Sequence, residues 1–94
     1  VALVLDNDLT ALFYQNLRQL SADFSRALNA GQRDTLRQIC HKIKGGAASF
    51  GEAALTALAD KLQQQLLTDR PMSELAQSCQ YFAEFLQQYG DQNA

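Results

Sequence analysis

A chain of 94 residues that is 47% apolar and 19% charged is a single globular domain with one core, not a disordered segment. Its formal charge of −2 weighs against a nucleic-acid partner. The apolar opening VALVL is too short for a signal peptide or a membrane span, so no direct membrane contact is expected.

The first predicted helix runs from about Asp8 to Leu28, with Leu9, Leu12, Phe13, Leu17, Leu20, Phe24 and Leu28 spaced by three and four. Asp6 or Asn7 is placed to cap its start, and Gly31 to end it. The second runs from about Gln32 to Phe50, with Leu36, Ile39, Cys40, Ile43, Ala47 and Phe50 inward and Gly51 as its stop. The third covers about Glu52 to Thr68 and turns Leu55, Leu58, Ala59, Leu62 and Leu66 to the core. TDRPMS is the clearest break, because Pro71 suits a first helical turn and no later one. The fourth helix runs from Pro71 to about Tyr89 with Leu75, Cys79, Phe82, Leu86 and Tyr89 on one face, and the tail GDQNA is expected to fray. No strand pattern competes. The expected fold is all-α, an antiparallel up-down-up-down four-helix bundle filling residues 1–94 as one domain.

Cys40 and Cys79 both fall on apolar faces, where free cysteine behaves as a small hydrophobe. Two such residues in a chain with no secretory signal make no disulfide framework, which points to a reducing, cytoplasmic setting. Residue 1 is Val rather than Met, which raises the expectation of a piece cut from a longer chain.

HKIKGGAASFG, residues 41–51, sets two glycines inside a predicted helix, each costing about 1 kcal/mol there relative to alanine. It also holds the only histidine. On a helical wheel His41 points roughly 140° from the core stripe. It shares an outer face with Arg37, Lys44, Gly45 and Ala48, and Gly45 is the neighbour stacked one turn beyond it. A missing side chain there clears space beside the imidazole. Arg33, Arg37, Lys42 and Lys44 are half of the chain's Lys and Arg, and Asp34 is the one acid among them. An exposed imidazole with cleared space and nearby cations suits an anionic group, of which phosphoryl is the natural candidate. Plain alternatives are a solvated surface histidine, a Gly-Gly pair that permits close helix packing on the side of Gly46, and an ordinary solvated Lys44.

Other chemistries fit less well. One histidine and two buried cysteines make no zinc set. Cys40 and His41 are adjacent and so diverge on a helix, which rules out a Cys–His nucleophilic pair. There is no GxxxxGK[ST] phosphate loop and no carboxylate pair placed as an acid–base dyad.

HKIKGGAASFG closely resembles the signature of histidine-phosphotransfer (HPt) domains, of the form H-x-[IL]-K-G-[SAG]-[AS]-x-x-[LF]-G, and the preceding ALNAGQRDTLRQIC and the spacing of four helices extend the likeness over nearly the whole chain. The resemblance implies that His41 accepts and donates a phosphoryl group through Nε2 in a two-component phosphorelay. It gives Lys44 the phosphoryl oxygens, makes Gly45 the residue that keeps the ring accessible, and matches Ser49 and Gly51 to the motif's helix end. In relatives a polar residue 22 positions after the histidine often orients the imidazole; here it is Gln63, which otherwise reads as a boundary glutamine. The chain is most like the C-terminal domain of a bacterial hybrid sensor kinase, though a free-standing relay protein also fits. The implied partners are receiver domains of the kinase or a response regulator, which supply an Asp and Mg²⁺. The domain itself needs no cofactor or metal, acts as a carrier without independent catalysis, and is expected as a monomer.

Two further readings stay open. The phosphoacceptor domain of chemotaxis kinases shares the HxIKGGA core but carries His and Glu where this chain has Asp60 and Gln63. A helical binding module without phosphoryl chemistry could use the same glycine-cleared face. A DNA-binding role ranks behind both, for want of a helix-turn-helix pattern.

Overall fold

Four helices form in the order expected: α1 (Ala2–Asn29), α2 (Arg33–Ser49), α3 (Ala53–Leu66) and α4 (Met72–Gln92). The computed structural model describes the backbone of residues 2–92 and the side chains of residues 9–91. Each helix packs on the next and α4 returns against α1, so the four close into an antiparallel bundle measuring 49 × 20 × 18 Å.

Glycine closes both turns that flank α2. Gly31 has φ 68° and Gly51 has φ 70°, the left-handed region where a β-carbon is strained. Past α1, the Gln32 N–H donates to the Ala27 carbonyl at 2.9 Å and the Gly31 N–H to the Leu28 carbonyl at 3.1 Å. Past α2, the Glu52 N–H donates to the Ala47 carbonyl at 2.9 Å and the Gly51 N–H to the Ala48 carbonyl at 3.2 Å. This paired closure satisfies carbonyls that the helix end leaves open. The end of α3 has no glycine and uses a cation instead. Arg33 donates to the carbonyls of Leu66 at 3.0 Å, of Thr68 at 2.6 Å, and of Arg70. A guanidinium at a helix C-terminus also complements the helix dipole.

The core stripes of α2, α3 and α4 are buried largely as expected, from Leu36 and Ile43 to Leu55, Leu62, Leu75 and Leu86. Phe24 and Phe82 meet edge-on across the core with centroids 5.3 Å apart. The α1 stripe needs correction. Phe13, Leu17 and Phe24 are buried, with Ala27 added, but Leu9 and Leu12 are 52% and 50% exposed. The α2–α3 turn packs at the level of Phe13 and Tyr14, so the earlier residues of α1 lie beyond the ends of α2 and α3. Asp6 and Asn7 do not cap α1. They lie inside it, because no glycine or proline interrupts the chain from Ala2 to Asn29. Phe50 is 38% exposed and stacks on Phe13 with centroids 4.7 Å apart, rather than lying in the core. At the other terminus α4 does not stop at Tyr89. Gly90 is buried with Arg18 against it, and the helix continues to Gln92; Asn93 and Ala94 lie outside the described residues.

Glu52, at the α2–α3 turn, accepts from two phenols: Tyr14 of α1 at 2.6 Å, and Tyr89 of α4. Three parts of the bundle are tied through one carboxylate. The bond to Glu52, then burial, then the charge of Glu52 push the Tyr14 phenol from 10.0 up to about 12. A raised folded pKa means that this contribution to stability is complete below pH 10 and is lost as pH climbs from 10 to about 12. The stability difference between wild type and Tyr14→Phe, from denaturant melts, is therefore expected to vanish across that window. Glu52→Gln is expected to bring the phenolate absorbance titration of Tyr14 back toward 10.

Candidate functional site

His41 lies mid-way along α2, on the side opposite buried Cys40 and Ile43, and is exposed. The glycine-closed turn at Gly51 sets the register of α2 against α3, and that register decides what His41 meets. His41 and Gln63 are 22 residues apart, Lys44 and Asp60 are 16 apart, and both pairs are centred on Glu52. The hairpin therefore forms rungs across one face.

On the first rung the Gln63 amide nitrogen lies 3.3 Å from His41 Nδ1. The Gln63 carbonyl oxygen is buried without a hydrogen-bond partner. The two orientations of the amide select the two tautomers of the ring. With nitrogen inward, Gln63 donates to a bare Nδ1 and the proton sits on Nε2. With oxygen inward, the amide accepts from Nδ1–H, the orphaned oxygen gains a partner, and Nε2 carries a free lone pair. Nδ1 is engaged in both, but only with oxygen inward does Nε2 offer a lone pair to an incoming group.

On the second rung Lys44 Nζ donates to Asp60 Oδ1 at 2.8 Å. This hydrogen bond, first among its causes, holds the Asp60 carboxyl below the ordinary carboxylate range, against some desolvation. The basic stretch is thus not a free cationic patch. Arg33 is committed to the carbonyls past α3, and Arg37 donates through Nε and Nη2 to Asp34 Oδ1 at 3.1 and 2.8 Å.

The two glycines separate cleanly. A β-carbon on Gly46 would sit 3.3 Å from Phe13 Cε1, so Gly46 serves packing of α2 on α1. A β-carbon on Gly45 would meet nothing within 4 Å. Among the described residues nothing requires glycine there. Ser49 Oγ donates back to the Gly45 carbonyl at 3.1 Å. Beyond Gly45 the face stays low: a shallow depression of about 380 Å³ beside Lys44 and Asp60 is lined by Ala48, Gly51, Ala53, Thr56 and Ala57.

A family model for the Hpt domain matches residues 8–92. The chain belongs to the Hpt domain family. Hpt domains carry phosphoryl groups in phosphorelays, working with receiver domains or response regulators. No curated protein and no solved structure matches the chain.

Elsewhere in this Hpt domain the chemistry is quiet. Burial first, and the neighbouring Cys79 second, push the Cys40 thiol up to about 12, so it stays protonated at neutral pH. Both cysteines are free and buried. Among the described residues no cluster of three or more His, Cys, Asp or Glu could hold a metal ion. No described helix is long and apolar enough to cross a membrane. The pairing of Asp60 with Lys44 was missed by sequence reasoning; its signal was its place opposite Lys44 about the turn, readable once Glu52 is taken as the centre of a hairpin.

Proposed function

We propose that His41 is the phosphoacceptor and that the domain is a phosphocarrier between receiver domains. The observation that supports this is an exposed imidazole whose Nδ1 is engaged by Gln63, one turn before the position that Gly45 leaves without a side chain. The Nε2 lone pair attacks the phosphorus of a receiver's aspartyl phosphate. The N–P bond forms as the bond from phosphorus to the carboxylate oxygen breaks, and the aspartate leaves with the electron pair. The imidazole keeps its proton on Nδ1, shared with Gln63, and the reverse step delivers the group to a response regulator. Such transfer needs positioning and charge neutralisation more than acid–base machinery. The receiver supplies the Mg²⁺; this domain supplies the nucleophile, Lys44 beside it and the docking face around Ala48. The reading extends to a monomeric, cytoplasmic module serving the receiver of a hybrid sensor kinase.

The test is incubation with a phosphorylated receiver domain and Mg²⁺. Label that moves to the domain, acid-labile and base-stable as a phosphoramidate is, supports the carrier role. Absence of transfer from a panel of receivers and from a chemotaxis-type kinase, with the helices intact by circular dichroism, contradicts it and favours a binding module.

Gln63→Leu removes the partner of Nδ1 at similar volume. It is expected to slow transfer about three- to tenfold, in line with the loss of one hydrogen bond. ¹⁵N spectra of the imidazole should show the two tautomers closer to their free proportions.

A further inference from the structure

The cation expected to meet a phosphoryl group already has a partner. Lys44 stands three residues after His41, within reach of the same outer face. Its ammonium is bonded at 2.8 Å to Asp60, reached from the opposite helix, and the two side chains are 40% and 44% exposed. Asp60 lies one turn before Gln63 on α3, and Gln63 holds the His41 ring. A carboxylate so placed acts twice on a phosphoryl group at Nε2. It occupies the ammonium that would otherwise neutralise the phosphoryl oxygens, and it adds like charge nearby. The lowered titration of Asp60 keeps that charge present at neutral pH. Arg37, on the other side of His41, is also held by a carboxylate, but Asp34 belongs to the same helix and is 72% exposed. Asp60 alone is fixed in place by the register of two helices.

We propose that Asp60 is a positioning residue that competes with the phosphoryl group for Lys44, and so keeps phospho-His41 a ready donor rather than a stable store. On phosphorylation the ammonium divides between Asp60 and the phosphoryl oxygens. When the group departs, Asp60 takes it back. This rests on His41 being the phosphoacceptor.

The experiment equilibrates the domain with a phosphorylated receiver and Mg²⁺ and reads the ratio of phospho-His41 to phospho-receiver. Four forms are compared: wild type, Asp60→Asn, Lys44→Ala and the double variant. Asp60→Asn is expected to raise the ratio about two- to fivefold, the scale of a partly exposed ion pair, and to lengthen the lifetime of phospho-His41. In the Lys44→Ala background only the smaller rise from removing the carboxylate's own charge should remain. An unchanged or lowered ratio in Asp60→Asn overturns the proposal. An equal rise in both backgrounds also overturns it, because Asp60 would then act by its own charge and not through Lys44. Failure of wild type to take label at His41 is a different result: it removes the carrier reading itself, and this proposal with it.

Discussion

His41→Gln is expected to reduce phosphoryl uptake to background while leaving the bundle intact. His41 is exposed, and its described polar partner is the Gln63 amide, so the substitution opens no cavity and orphans no buried charge. Surface changes of this kind usually move stability by less than about 0.5 kcal/mol. Glutamine matches the histidine roughly in length and polarity, yet an amide nitrogen has no free lone pair with which to attack phosphorus. Uptake and stability should therefore separate completely. Label transfer from a phosphorylated receiver, alongside a thermal melt followed by circular dichroism, measures both. A binding module would keep its function in this variant. Retained label in His41→Gln would mean that another residue carries the group.

The second large effect is at Gly45, where stability and transfer are expected to move in opposite directions. A β-carbon there meets nothing within 4 Å among the described residues, so Gly45→Ala should recover about 1 kcal/mol of helix propensity. Leucine, also a good helix former, should stabilise nearly as much. A partner's reacting phosphorus, however, must come within bonding distance of Nε2, and the position one turn beyond His41 lies under its approach. Displacement of reacting atoms by an ångström can cost about a hundredfold in rate. Gly45→Leu is expected to slow transfer by about that factor or more, and Gly45→Ala by less. Denaturant melts and single-turnover transfer rates decide the matter. Normal transfer by Gly45→Leu would show that the open space serves no approaching partner. Gly46 behaves differently, since its missing β-carbon faces Phe13 and not solvent.

How far the sequence could be read depends on what each residue answers to. The helices and most of the core were legible because apolar spacing reports which residues share a face. The same spacing misplaced Leu9 and Leu12, because periodicity does not say whether another helix covers that face, and α1 runs past the ends of α2 and α3. Asp6 and Asn7 misled as caps because a capping residue marks a helix start only where something stops the helix extending, and nothing does. The exposure of His41 and the open space at Gly45 were legible from helical geometry alone, while the contact of Gln63 with His41 came into view through family resemblance. The partners of the cations were not legible. Charge counting treated Arg33, Arg37, Lys42 and Lys44 as one patch. The structure spends Arg33 on carbonyls past α3 and Lys44 on Asp60, choices made by the register of separate helices. The role of Glu52 was hidden for the same reason, since Tyr14 and Tyr89 reach it from opposite ends of the chain.

The most direct measurement is to treat the ¹⁵N-histidine-labelled domain with phosphoramidate, a small-molecule phosphoryl donor, and record ¹⁵N and ³¹P spectra of the single imidazole. The expected result is one phosphoryl group, coupled to Nε2 of His41, with the proton retained on Nδ1. Phosphorylation at Nδ1, at a residue other than His41, or nowhere in the folded domain would contradict a carrier built on His41 Nε2.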